Sequence, residues 1–431
     1  MKKIIKKKRI FLIFLAGFLL VVLAYFIIPE IYNFKYNAKL GQSNHESILP
    51  NNELPQAVST PENAISVNTT TTVKVNPEDA VVVTHIDTPS PVKAVYMSSW
   101  VAGNLSFRNK IFDMIKRTEL NAVVIDVKDS TGHISFSVSN PELIKMGSVE
   151  KRVKDIKSFI DELHKNNIYV IGRIATFQDP YFAKKYSEFA VKKRSDKTAL
   201  WADDKCKRAI RRHQEKLCTY WLDAGTKEVW DYVVAIGHEA YMDGFDELNF
   251  DYIRYPADGD LKDIYYPVSN GKIRAEVMKS FFTYLHDSFA GVNNEVTLRP
   301  KISADIFGLA TTEDNDLGIG QMLIPVSTYF DYVAPMDYPS HFASDTYGYK
   351  NPATKPYEIV NFSMKKAVER LKTAGIDSLK LRPWLQDFNL GAQYTPEMVR
   401  AQIKAVDDAG LNSWMLWDPE NTYTEDALLP Q

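Results

Sequence analysis

Residues 92–431 read as an α/β chain that closes into a TIM (β/α)8 barrel. Three observations lead there. Eight short apolar, strand-like runs recur along this segment. Amphipathic helical stretches separate them, so the strands are joined by crossovers and lie parallel. Eight such units also fit the length of the segment. A doubly wound open sheet is the other architecture compatible with this alternation. It needs a ligand crevice at a topological switch point, and no G-x-G-x-x-G follows an early strand.

The chain before the barrel is of a different kind. "MKKIIKKKR" places five Lys and one Arg in the first nine residues, and Ile10 to Ile28 then form nineteen apolar or small residues without a charge. That length spans a bilayer as a helix, and no small-x-small cleavage site follows it. The expectation is an uncleaved anchor over 10–29, with residues 1–9 cytoplasmic and all that follows outside the cell membrane, a single-pass arrangement. Residues 30–91, as in "NNELPQAVSTPENAISVNTTTTVKVNPED", are rich in Asn, Thr, Ser, Pro and Val, and read as a solvated low-complexity stalk.

From Val92 the eight strand candidates are, in order, "KAVYMSSW", "NAVVIDVKD", "IYVIGRIATF", "DELNFDYIRY", "KISADIFG", "DYVAPMDY", "LRPWLQDF" and "NSWMLWDP". Between them, "VKDIKSFIDELHKNN" sets Val153, Ile156, Ile160 and Leu163 on one helical stripe. "TKEVWDYVVAIGHEAYMDG" and "TPEMVRAQIKAVDDAG" follow the same rule and stop at Gly. The connections after strands 3 and 6 are far longer than the usual ~2–6 residues, which marks functional loops. The excursion after strand 3, from Gln178 to about Gly225, holds both cysteines of the chain, Cys206 and Cys218. In an exported protein this pair is expected to close a disulfide across the insertion. A zinc site would lack a ligand there, since only His213 lies nearby.

A net charge of −2 gives no basic field for nucleic acid. The eight His residues form no metal-binding spacing, and no G-x-S-x-G elbow or P-loop occurs, so neither a metal nor a cofactor is expected.

What remains is carboxylates. In strand 4, Glu247, Asn249 and Asp251 share one face, opposite Leu248 and Phe250. By the same parity Asp126 and Lys128 share a face in strand 2, Ser303 and Asp305 in strand 5, and Arg382, Trp384 and Gln386 in strand 7. Arg173 lies near the end of strand 3, Arg254 just past Asp251, and Asp337 is read as the last residue of strand 6. Closure would bring these groups to one mouth. Glu247, deepest on its strand, is expected to be structural, paired with Arg173 or Lys128. Asp251, Asp305 and Asp337 sit at strand ends, where core packing gives no reason for a carboxylate. Asp251 is read as nucleophile or base, held ionised by Arg254. Asp337 is read as the acid, with Asp305 in reserve. Trp100, Tyr338, Trp384 and Trp417 suggest a platform for sugar rings, with Asp126, Arg173, Asn249, Arg254, His341 and Gln386 completing a substrate-binding set. Paired carboxylates without a cofactor suit cleavage of a glycosidic bond in a glycan. A glycan-binding barrel without catalysis would use the same aromatic platform.

The segments "RTELNAVVIDVKD", "GRIATFQDP", "KEVWDYVVAIGHEA", "GFDELNFDYIRYP", "SADIFGL", "DLGIGQ", "DYVAPMDYPSHF", "RPWLQDF" and "LWDPENTYT" occur in this order. Through them the chain resembles the bacterial glycoside-hydrolase barrels of uncharacterised function, within the wider TIM-barrel glycoside hydrolases. The resemblance implies a TIM barrel and a carbohydrate-active enzyme. Asp251 matches the acidic position of that family's strand 4 motif, and Asp337 that of its strand 6 motif. The Cys-bounded basic stretch "KCKRAIRRHQEKLC" departs from the family, whose members have a short connection there.

Overall fold

The computed structural model describes residues 82–212, 218–290 and 299–431. The expected basic tail, the anchor over 10–29 and most of the stalk lie outside the described residues. Among the described residues no helix is long and apolar enough to cross a membrane.

The eight strands are Lys93–Met97 (β1), Ala122–Lys128 (β2), Tyr169–Ala175 (β3), Glu247–Asp251 (β4), Lys301–Phe307 (β5), Tyr332–Met336 (β6), Trp384–Gln386 (β7) and Trp414–Trp417 (β8). They close into a barrel in sequence order, β8 returning to β1, and every pairing is parallel. The helices that cover it include Leu105–Arg117 (α1), Ile156–Lys165 (α2), Lys227–Met242 (α3), Arg274–Phe289 (α4), Leu323–Tyr329 (α5), Pro356–Thr373 (α6) and Pro396–Asp408 (α7), one after each of the first seven strands. Helix ends follow the sequence signals. Gly244 and Gly410, just past α3 and α7, have φ of +108° and +83°, where a Cβ would be strained.

Alternation along each strand sorts residues into two compartments. Val123, Ile125, Val170, Ile174, Leu248, Phe250, Ile302 and Ile306 face outward and bury against the helices, where Phe159, Val233 and Phe281 meet them. Each such side chain contributes about 1.5–3 kcal/mol on full burial. Ala94, Tyr96, Val124, Tyr169, Ile171, Trp384 and Met415 point into the lumen.

One irregularity breaks the alternation. The register of β2 against β3 runs Asp126↔Arg173 and then Lys128↔Ile174, a bulge between the two. Asp126 therefore faces the lumen, and Lys128 shares the outward parity of Ile174. Lys128 donates from Nζ to Asp179 Oδ2 at 2.7 Å, with both side chains fully buried. The expectation that Asp126 and Lys128 share a face is corrected by this extra residue.

The lower end of the barrel is closed by residues that the sequence placed in the stalk. The Ile86 amide donates to Asp246 Oδ1 at 2.9 Å, Thr88 donates to the Tyr169 hydroxyl at 2.9 Å, and the His85 ring stacks on Tyr241 at 4.0 Å. Asp246 also pairs with His164 Nε2 at 2.9 Å and accepts from the Val170 amide at 2.8 Å. Burial alone would raise the Asp246 carboxyl, but the hydrogen bond from His164 and the nearby His85 ring hold it below the usual range. Residues 84–88 thus form a strap on the barrel floor.

Candidate active site

The upper lumen is organised around one guanidinium. Arg173, inward on β3, donates from Nη1 to Asp126 Oδ1 at 2.7 Å and from Nη2 to Asp251 Oδ2 at 2.5 Å, and its Nε lies 3.9 Å from Asp305 Oδ2. Burial works against its charge, but the carboxylates of Asp251 and Asp126 outweigh it and keep Arg173 cationic. Tyr96 donates to Asp126 Oδ2 at 2.6 Å and stacks on Trp417 at 4.0 Å, and the Trp417 ring lies 5.2 Å from the guanidinium carbon.

Asp251 and Asp305 stand on neighbouring strands. The β4–β5 register pairs Glu247 with Lys301, Asn249 with Ser303 and Phe250 with Ala304, and one further step sets Asp251 beside Asp305. Asp305 Oδ1 accepts from Trp384 Nε1 at 2.8 Å and from Asn249 Nδ2 at 3.0 Å. Asp305 is 1% exposed, so burial first, and then the Asp251 carboxylate, push its carboxyl up to about 8, with Arg173 opposing. Asp251 Oδ1 accepts from the amide of Tyr252 at 2.6 Å. Tyr252 holds φ +54°, a left-handed backbone that a bulky residue rarely adopts, at the residue that re-aims the chain after β4.

Several sequence expectations change here. Asp337 does not join this group. The strand ends at Met336, whose register with Trp384 marks it as inward, so the next residue turns away from the lumen. Asp337 is fully buried, and burial, opposed only by the nearby Ser363 hydroxyl, drives its carboxyl well above the usual range. Arg254 does not pair with Asp251 either. Its guanidinium lies 4.8 Å from the Trp221 ring and 4.6 Å from Phe307, and donates to the Tyr255 carbonyl at 3.0 Å. Glu247 pairs with neither Arg173 nor Lys128. Arg382 Nη1 reaches Glu247 Oε2 at 2.8 Å from across the lumen, and the Tyr169 hydroxyl donates to the same oxygen at 3.1 Å. The Trp100 ring lies 4.3 Å from the Arg152 guanidinium.

The remaining candidates frame the mouth. Gln386 accepts from the Ser340 amide at 3.1 Å and donates to the Phe388 carbonyl at 2.9 Å, tying the loops after β6 and β7 together. Tyr338, His341 and Phe388 pack edge to face, with ring centroids 5.2 to 5.9 Å apart. Burial lowers the His341 imidazole and raises the Tyr338 phenol well above its usual range. Beside them opens a cavity of about 230 Å³ whose walls are Phe307, Leu309, Met336 and Phe342, with Gly308, Tyr338 and His341. Among the described residues no group of His, Cys, Asp and Glu could hold a metal ion. In the strand 3 excursion, Cys206 and Cys218 are joined by a disulfide.

Sequence reasoning passed over three residues. Tyr96 was signalled by its inward parity with Ala94 in "KAVYM". Asp387 and Asp418, just past β7 and β8, are each raised to about 6 by burial. Asp387 accepts from the Thr424 hydroxyl at 2.6 Å, and Asp418 from the Glu420 amide at 2.7 Å, contacts to a loop with no periodicity to betray them.

Comparison with known proteins agrees with this architecture. No curated protein matches the chain. A hypothetical protein from Ruminiclostridium thermocellum ATCC 27405 is 30% identical over 49% of this chain and 96% of its own, with a TM-score of 0.40. The α-L-fucosidase isoenzyme 2 from Paenibacillus thiaminolyticus aligns over 78% of this chain and 48% of its own, at 13% identity and a TM-score of 0.51, a likeness of fold. The family model described as "Putative glycosyl hydrolase domain" matches residues 94–423, which include all the strands but the first residue of β1, and the chain belongs to that family.

Proposed function

We propose that this protein is a glycoside hydrolase acting on a polysaccharide or cell-envelope glycan, carried outside the cell membrane by the apolar run Ile10–Ile28. The observation that carries the reading is the pair Asp251 and Asp305, side by side at the mouth in unlike surroundings. Asp251 faces the Arg173 guanidinium. Asp305 keeps its proton up to about pH 8. Two carboxyls whose environments push them apart divide into an acid and a base or nucleophile.

In this reading Asp305 gives its proton to the glycosidic oxygen as the bond from that oxygen to the anomeric carbon breaks, its electron pair passing to the oxygen. Asp251 attacks the anomeric carbon. Water then displaces Asp251, losing its proton to the Asp305 carboxylate. Neighbouring strands lie about 4.8 Å apart, which favours the close spacing of ~5–5.5 Å used by retaining enzymes over the ~6.5–9.5 Å of inverting ones. Trp417, half-buried and backed by Tyr96, supplies the apolar surface for a sugar ring. The test is release of reducing sugar from a panel of polysaccharides, with the anomer of the first product read by NMR. Retained configuration, with turnover lost in both Asp251→Asn and Asp305→Asn, is expected. An inverted product, or full activity in either variant, would overturn these roles.

One observation favours a second reading, a glycan-binding barrel without turnover: Asp251 and Asp305 are already bonded by Arg173, Trp384 and Asn249. A wild-type chain that binds a glycan and releases no sugar from it would select that reading.

A further inference from the structure

Of the two substrate classes proposed above, the geometry points to a cell-envelope glycan that ends in an apolar aglycone, the aglycone seated in the 230 Å³ cavity lined by Phe307 and Met336 above Asp305. This rests on the reading of Asp305 as the acid. The acid stands on the side from which the leaving group departs, so what lies beyond Asp305 is the aglycone's site. Phe307 follows Asp305 by two residues on the same strand, and its register partner is Met336. Met336 in turn pairs with Trp384, whose indole bonds Asp305. The cavity therefore begins one step above the acid.

Its chemistry is one-sided. Phe307, Leu309, Met336 and Phe342 offer only carbon and sulfur, and the two polar tips belong to Tyr338 and His341. A second hexose placed here would desolvate several hydroxyls with few partners, each one unpaired at a cost. An aryl or branched alkyl group loses nothing. The volume is that of about eight waters at roughly 30 Å³ each, room for a ring rather than a methyl. Gly308 allows close packing at the cavity wall, because a Cβ there would come within 2.8 Å of the Met336 carbonyl, 3.2 Å of the Phe342 ring and 3.3 Å of Asp337 Oδ1.

The experiment compares p-nitrophenyl and methyl glycosides over a panel of hexoses and N-acetylhexosamines, using the full chain, Leu309→Gln and Met336→Gln. Leu309 is 37% exposed, so its substitution leaves the fold intact. Wild type should prefer the aryl glycoside at least tenfold in kcat/KM. Each variant should lose most of that preference, its aryl-to-methyl ratio of kcat/KM falling toward one. Intrinsic leaving-group reactivity is controlled by the variants, which share the same chemistry. Binding of the same glycosides to Asp305→Asn, followed by calorimetry, separates the two claims. Aryl-selective binding that Leu309→Gln abolishes, without hydrolysis by wild type, supports the cavity and sinks the enzymatic reading. Hydrolysis with an aryl preference unchanged in both variants overturns the cavity assignment alone. Neither binding nor hydrolysis of any aryl glycoside in the panel also overturns it.

Discussion

Arg173 holds the charges of the upper lumen together, and its removal is the most informative single change. Arg173→Met would leave Asp126 and Asp251 buried without their cation, a loss of about 3–5 kcal/mol. Urea unfolding should show this as a lower midpoint with an unchanged slope. Asp251→Asn is milder, because Arg173 keeps Asp126. Asp305 makes a prediction in pH. Its folded value of about 8 lies above the unfolded value of about 3.9. The folded state binds more protons between them, so the stability from this group is present below pH ~4 and lost as pH rises through about 8. Asp305→Asn cannot titrate and should flatten that part of the melting-temperature profile. If Asp305 is the acid, kcat/KM of the wild type should fall about tenfold per unit above pH 8. A rate that holds level to pH 9.5 would remove Asp305 from that role.

At the scale of the element, parity was the sequence's most reliable guide, and the misplaced residues have two physical causes. It placed Glu247, Asn249 and Asp251 on the lumen side of β4 correctly, because that strand is regular. In β2 it failed, because a bulge adds a residue that no composition signal marks. In β6 the error was one of position and not of parity: Asp337 is read as the last strand residue, but the strand ends at Met336 and Asp337 turns away from the lumen. The partners of the charged groups were not legible at all. Glu247 on β4 and Arg382, just before β7, meet only when the sheet closes, and no local pattern encodes that meeting. The helices were legible, because a stripe every third or fourth residue and a terminal glycine are local signals. Glu247→Gln should therefore lower the melting temperature clearly, with a loss of up to about 3–5 kcal/mol as Arg382 is left uncompensated. A shift within one degree would show that the pair contributes nothing. The disulfide acts on a shorter range. Replacing both Cys206 and Cys218 by Ser costs roughly 3 kcal/mol in the chain-entropy model. Because it closes only a local loop, the expected readout is faster proteolysis between residues 200 and 220, with the barrel's own melting little changed.

For the molecule as a whole, closure of the sheet removes every strand edge, and the strap over 84–88 covers the floor that remains. A chain beginning at residue 82 should melt as the full chain does. One beginning at residue 92 loses the hydrogen bonds to Asp246 and Tyr169 and should be less stable by about 1–3 kcal/mol. Equal melting of the two truncations would show that the strap is only resting there. The strap also gives the barrel a front and a back. The polypeptide arrives at the pole where the strands begin, and Asp251 and Asp305 open at the pole where they end. Approach of the chain and entry of substrate therefore use opposite faces of the barrel, and a group attached at residue 84 leaves the mouth clear.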